Sequence, residues 1–547
     1  MMRASGSAYV LTLSFLGGAA FGLPACSGGG DAPPGGGAPS VGGSPATGGM
    51  PGVGGNGAGG LIAPASGGAS PASGGASSGG GSSGGGGTSS GGGGTSSGGG
   101  GSEPIPEPDL VTSGPNAYWQ LGELTPATGA AAVTVNDAQV LGDWRGFGGT
   151  FNEKGWEAMK ALSEADRDLA LHLLFDRADG AAFTHGRIPI GSSDYALSRY
   201  SLNESDGDLE MDDFSIERDT TDLIPYIHAA LAIRPDLHFW GSPWSPPTWM
   251  KNNGQFDRGT MIENDDMFAA HALYLARFVE EYEAEGIFVE AVHPQNEPGY
   301  QQDYPSCGWS PDGFTTYVRE FLGPLFAERL PDREIWVGTM SNPNDKGIVD
   351  AVLTDSAAAA FVTGIGVQWG QDQYVQGYIS SYQKPVMQTE HRCGNFPNQQ
   401  QTNIDRAPND DAYARESWGY IADYIRRGVS GYMAWNMVLD TGGRNLDTVR
   451  PWAQNALLAV DVAAGELKVT PTYYVFRHVA QYVDPGSVRI DVDGGDAIAW
   501  KNPDGDLVVV LYNSQNSPSQ TVVAIGGSSY EVTIPGQGWA TVNWQAP

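Results

Sequence analysis

Cysteine is nearly absent from this chain. Its 547 residues hold three, Cys26, Cys307 and Cys393, too few for a disulfide framework to carry a domain of this size. The last two can be free buried thiols or one disulfide across the mouth of a cleft. Neither CxxC nor HExxH occurs, which argues against a zinc site. Positive charge is scarce as well: 29 Lys and Arg stand against 62 Asp and Glu, a formal net charge of −33. Such an acidic surface repels phosphate backbones and argues against a nucleic-acid partner, while saying little about a neutral sugar. From Ser27 to Ser102 large apolar residues are almost missing, and Gly, Ser, Ala, Pro and Thr fill the segment. With so little to bury, nothing offsets the chain entropy, so 27–102 is expected to be a flexible tether.

The tether follows a leader. Arg3 supplies a positive end, and Ala8 to Phe21 form an apolar stretch too short to span a bilayer comfortably. The leader closes on Leu23-Pro24-Ala25-Cys26, which resembles a bacterial lipobox. That reading makes 1–26 a lipoprotein-type signal, Cys26 the acylated first mature residue, and the protein an exported one held at a membrane or cell surface through lipid. An ordinary secretory signal cut near Ala25 is the other reading. No later segment is apolar enough to cross a membrane.

Beyond the tether, eight short apolar runs alternate with helical stretches. The runs are Trp144 to Phe151, Phe183 to Ile190, Leu237 to Trp244, Ile287 to Glu297, Glu334 to Met340, Gly364 to Trp369, Pro385 to Glu390 and Val429 to Asn436. Between them, Leu223, Ile224, Ile227, Ala230 and Leu231 share one helical face, as do Ala272, Leu275, Ala276 and Val279. This alternation predicts a closed (β/α)8 TIM barrel over 143–470. An open doubly wound sheet is the rival, but Gly146-Phe147-Gly148-Gly149 has no acidic partner at the dinucleotide-binding distance. Those glycines fit a tight strand end. After about Pro471 the pattern changes to short strands separated by turn signals such as Asn502-Pro503-Asp504-Gly505. The strand-like segment Tyr118 to Leu141 has no barrel role. Residues 103–142 and 471–547 are therefore expected to build one β-sandwich.

Two glutamates stand where apolar runs stop: Glu297 on the fourth and Glu390 on the seventh. Parallel α/β proteins place reactive groups at such strand ends. Two carboxylates facing one cleft are the minimum equipment for cleaving a glycosidic bond, and strands four and seven can bring them within the ~5 Å of a retaining mechanism. Asn296, beside Glu297, can donate to a sugar 2-hydroxyl. The bland alternative is that each glutamate pairs with a basic residue and holds the rim.

Gly146-Phe147-Gly148-Gly149, Arg187-Ile188-Pro189-Ile190-Gly191, the run from Ser242 to Lys251 (SPWSPPTWMK), Asn296-Glu297-Pro298 and Thr389-Glu390 resemble glycoside hydrolase family 30 from about Tyr118 to Trp544. The resemblance implies a barrel with an attached β-sandwich and a β-glycosidase needing no metal or cofactor, acting on a β-linked glycan or glycoside. Position by position it implies Glu297 as general acid/base and Glu390 as nucleophile, with Arg187 holding the nucleophile ionised. Asp194 would bind sugar hydroxyls, Trp244 and Trp435 would wall the subsite, and Tyr304 would sit beside the sugar or support Glu297. Trp369 also counts among the substrate-binding side chains. At strand six many glucosylceramidase-like members carry His-Trp-Tyr, whose tyrosine touches the nucleophile; here the strand reads Gln368-Trp369-Gly370. Either another group such as Gln368 or Tyr374 supplies that donor, or the subsite differs. His391 is expected to point away from the cleft. A tethered carbohydrate-binding protein on a decayed barrel is the alternative function, and the oligomeric state is open.

Overall fold

A computed structural model describes residues 109–391, 393, 411–447 and 453–547. The leader, Cys26, the tether and most of the loop after Glu390 lie outside them.

Eight strands close a barrel in sequence order: Gly146–Thr150, His185–Pro189, His238–Ser242, Val289–Val292, Glu334–Met340, Val362–Gln368, Val386–His391 and Gly431–Asn436. They fall on the eight apolar runs. Every neighbouring pair is parallel, and the last returns to the first through Tyr432 opposite Phe147. The first, second, seventh and eighth strands are buried along their whole length, as a sheet covered on both faces demands. Helices supply the outer cover. In Asp265–Ala284 the N-cap Asn264 side chain accepts from the Met267 N–H, two aspartates occupy the first turn, and Phe268, Ala272, Leu275, Ala276 and Val279 face inward. The barrel interior is plugged beneath the C-terminal strand ends by Trp240, Ala291, Trp336, Met387 and Met433. That packed layer gives the residues above it a rigid floor.

The glycines of the first strand are there for contact. A Cβ on Gly148 would lie 1.9 Å from the His185 carbonyl oxygen, and one on Gly146 would lie 2.0 Å from Thr184 Oγ1. The first strand therefore approaches the second more closely than any side chain permits.

Segments from both ends of the folded region share the second sheet system. Leu110–Gly114 pairs with Gly538–Trp544, and Val133–Asp143 pairs with Val488–Asp493. Leu110, Val133, Val135, Ile490, Val509, Val523, Val532 and Val542 fill its own apolar interior. Trp500 of this part packs edge-on against Trp144 and Phe147 below the barrel.

Two features depart from the expected pattern. Residues Pro471–Ala480 form a helix, opened by Thr470, whose hydroxyl caps the Tyr473 N–H. Its Tyr-Tyr-Val-Phe stretch has strand-like propensity, but tertiary burial overrides that preference. His478 from this helix meets Thr541 and Ser113, each at 2.8 Å, and joins the two ends of the chain. A small sheet of Val438–Asp440, Leu458–Asp461 and Glu466–Val469 also follows the eighth barrel strand. Cys307 and Cys393 form no disulfide: both are free, buried thiols, and burial pushes each up to about 12.

Candidate active site

Arg187 is the hub. It sits in the second barrel strand with no solvent exposure, and a buried guanidinium must find acceptors. Its Nη1 donates to Glu390 Oε2, and its Nη2 donates to Asn296 Oδ1 at 2.7 Å. The cation lies over the Trp244 ring, 4.2 Å from its centroid, and 5.0 Å from that of Trp240. One side chain thereby ties the ends of the second, fourth and seventh strands and receives π-density from the third.

Asn296 Oδ1 also accepts from Thr339 Oγ1 at 2.7 Å and from Gln368 Nε2 at 3.1 Å. Among the described residues every side-chain partner meets the oxygen, so the amide NH2 is the end left for a ligand. Thr339 is a functional neighbour that sequence reasoning missed, and Gln368, named there only as a candidate donor to the nucleophile, turns to Asn296 and Thr339 instead. Thr339 and Gln368 belong to the fifth and sixth strands, and nothing in their local sequence points to Asn296.

Glu297 has a left-handed backbone, φ 49°, a conformation that costs a non-glycine residue about 1–3 kcal/mol. The bend is held by its N–H donating to the Thr339 carbonyl at 2.9 Å. Its Oε2 accepts from the Tyr304 hydroxyl at 2.6 Å. Burial raises this carboxyl to about 8, the negative charge of Glu390 adds to the rise, and the Tyr304 bond opposes it. Burial also raises Glu390, but there Arg187 and the Trp369 N–H pull the group back down. The two carboxyls therefore have opposed environments: one without a bonded cation, one paired with a guanidinium.

Trp369 supplies the donor that strand six was expected to lack. Its indole Nε1 donates to Glu390 Oε1 at 3.0 Å. Gln368 is occupied with Asn296 and Thr339, while Tyr374 packs beside Tyr378, so neither serves as the replacement. His391 packs among Trp369, Tyr420 and Tyr424 in tilted and edge-on contacts.

A cavity of about 380 Å³ opens over these groups, lined by Asp194, Trp244, Asn296, Glu297, Tyr304, Trp369, Glu390 and Trp435 together with residues of the surrounding loops. Trp244 and Trp435 stack with centroids 5.3 Å apart. Asp194 is buried, and burial next to Glu390 and Glu297 raises its carboxyl well above the ordinary range. The sequence-assigned catalytic and substrate-binding side chains among the described residues all line the cavity except Arg187, which acts from beneath through Glu390 and Asn296. Cys26 lies outside the described residues.

A parallel barrel with paired carboxyls over its C-terminal rim defines a barrel-type glycosidase site. The glycosyl hydrolase family 30 TIM-barrel domain matches residues 144–483, and the family 30 β-sandwich domain matches 486–542. The chain belongs to glycoside hydrolase family 30 and is a hydrolase of β-glycosidic bonds. Putative glucosylceramidase 4 of Caenorhabditis elegans is 28% identical over 451 residues, covering 76% of this chain and 84% of that one. Mouse lysosomal acid glucosylceramidase is 26% identical, covering 73% and 81%. Endo-1,6-β-D-glucanase of Neurospora crassa is 26% identical, covering 74% and 83%. Among solved structures, the endo-β-1,6-glucanase BT3312 superposes with a TM-score of 0.73 at 22% identity, over 81% of this chain and all of that one. SrfJ of Salmonella typhimurium superposes with a TM-score of 0.71 at 24% identity, over 80% and 99%.

Proposed function

We propose that this chain is an exported, retaining β-glycosidase that works by double displacement. The Glu390 carboxylate attacks the anomeric carbon as the bond to the leaving oxygen breaks, and the Glu297 proton passes to that oxygen. Water then attacks the glycosyl-enzyme and gives its proton to Glu297, releasing the sugar and restoring both groups. Asn296 would donate to the 2-hydroxyl, Asp194 would bind hydroxyls farther round the ring, and Trp244 and Trp435 would bound the glycosyl subsite. Tyr304 would steady Glu297. The observation that carries the reading is the split between the carboxyls: Glu390 is bonded to Arg187 and Trp369, whereas Glu297, bonded to a neutral phenol, is raised to about 8. Such divergence assigns one group as nucleophile and the other as acid.

Glu390→Gly is the direct test. The variant should lose hydrolysis of aryl β-glycosides and regain turnover with azide, forming an azido-sugar. Full activity without azide rejects the assignment. Screening aryl β-glycosides, a β-1,6-glucan and glucosylceramide assigns sugar and linkage, since relatives bear both glucosylceramidase and endo-1,6-glucanase names.

The lipobox-like Leu23-Pro24-Ala25-Cys26 and the following tether support export with a lipid anchor at a membrane or cell surface. Replacing Cys26 by Ser should move the enzyme from the detergent phase to the aqueous phase. An unchanged distribution rejects the anchor.

A further inference from the structure

Beside the nucleophile, four polar side chains form a chain of hydrogen bonds that all run in one direction. Ser193 Oγ accepts from the Tyr195 N–H at 3.1 Å and donates to Asn152 Oδ1 at 3.1 Å. Asn152 Nδ2 donates to Asn436 Oδ1 at 2.8 Å. Asn436 Nδ2 donates to Gln454 Oε1 at 3.1 Å. All four residues are buried. They come from the loops after the second and first barrel strands, the end of the eighth strand, and the loop beyond it.

The direction has a physical cause. With its oxygen taken by a backbone N–H, the Ser193 hydroxyl turns its proton toward Asn152. That orients the first amide with its oxygen toward Ser193, and each amide then orients the next. The last member, Gln454, has its oxygen held inside the protein and lines the cavity. Among the described residues its Nε2 meets no acceptor. The Asp194 carboxyl lines the same cavity, and no other described residue donates to it. The two segments are bound together: Tyr195 Oη donates to the Gly443 carbonyl at 3.0 Å, and the Gln454 N–H donates to the same carbonyl at 2.9 Å.

We infer that Gln454 is a specificity-determining residue of the glycosyl subsite, its Nε2 aimed by the Ser193–Asn152–Asn436 relay to donate to one ring hydroxyl of the sugar beside the Asp194 carboxyl. This rests on the glycosidase reading above. Asn296 is assigned to the 2-hydroxyl, so Gln454 reads a hydroxyl elsewhere on the ring. Asn436 is a positioning residue: it reaches the sugar only through Gln454.

The test uses the whole chain and aryl β-glycosides of the best-hydrolysed sugar, each probe lacking one of the other ring hydroxyls. Wild type should discriminate strongly against one deoxy probe. Q454E and the apolar Q454M should each lower kcat/KM on the parent glycoside at least about tenfold, the scale of one lost hydrogen bond to a buried partner, with less than about a twofold change on that one probe. N436D should produce the same collapse with Gln454 still present. The carboxylate introduced by N436D cannot donate to Gln454 Oε1, so the glutamine amide turns and presents its oxygen to the cavity. Equal loss on every probe in all three folded variants, or N436D discriminating as wild type does, overturns the inference. A wild-type enzyme inert toward the whole panel overturns the glycosidase reading together with it. An active wild type with uniform losses in the variants overturns the inference alone.

Discussion

The indole N–H of Trp369 donates to Glu390 Oε1 at 3.0 Å, opposite the Arg187 bond to Oε2. The tryptophan reaches this position because its backbone adopts φ 42°, with its carbonyl held by the Tyr424 hydroxyl at 2.7 Å. A neutral donor and a cation thus share one carboxylate, and both favour its ionised form.

Replacing Trp369 by Phe keeps most of the ring and deletes the donor. The Trp369 bond lowers Glu390, so its removal raises that group. The acid limb of the kcat/KM profile should then move to higher pH, with a rate loss of about tenfold on the scale of one hydrogen bond to a charged group. A pH–rate profile superimposable on that of wild type argues against the bond's role.

The proposed double displacement requires Glu297 protonated and Glu390 ionised. Glu297 lies at about 8, so the free enzyme should lose kcat/KM as pH rises through about 8. The Tyr304 bond lowers Glu297, so Tyr304→Phe should shift this alkaline limb further upward. A downward shift would mean that the phenol favours the protonated acid instead of the carboxylate.

Arg187→Met should unfold the protein more easily as well as disable it. The change leaves the buried Glu390 without its cation, which costs about 3–5 kcal/mol in comparable buried pairs. Denaturant midpoints measure this. A variant as stable as wild type would show that Glu390 finds another partner.

Gly148→Ala tests the contact between the first and second barrel strands. Its Cβ would meet the His185 carbonyl at 1.9 Å, so backbone must shift, at a cost of about 1–3 kcal/mol or more. Thermal melting should fall by several degrees, and an unchanged midpoint would mean that the strands separate freely.

The barrel strands were legible because parallel strands buried on both faces leave continuous apolar runs, with helical periodicity between them. Pro471–Ala480 was not, since its aromatic and β-branched residues carry a local preference that only packing against the rest of the fold reverses. Glu297 and Glu390 could be singled out because each ends an apolar run. Thr339 and Gln454 could not, because Asn296 and Asn436 meet them only in the folded barrel and leave no spacing to read, and Gln368 could be named as a polar residue at strand six but not for its bond to Asn296.

By itself, the order of residues determined the number and sequence of the barrel strands and the carboxylates at their ends, since burial periodicity and strand termini are local properties. Tertiary structure alone decided which atoms meet: the Trp369 indole on Glu390, three donors converging on Asn296, and the relay that turns Gln454 toward the cavity. Hydrogen-bond direction depends on where separate strands close into one ring, and that closure is a property of the whole barrel.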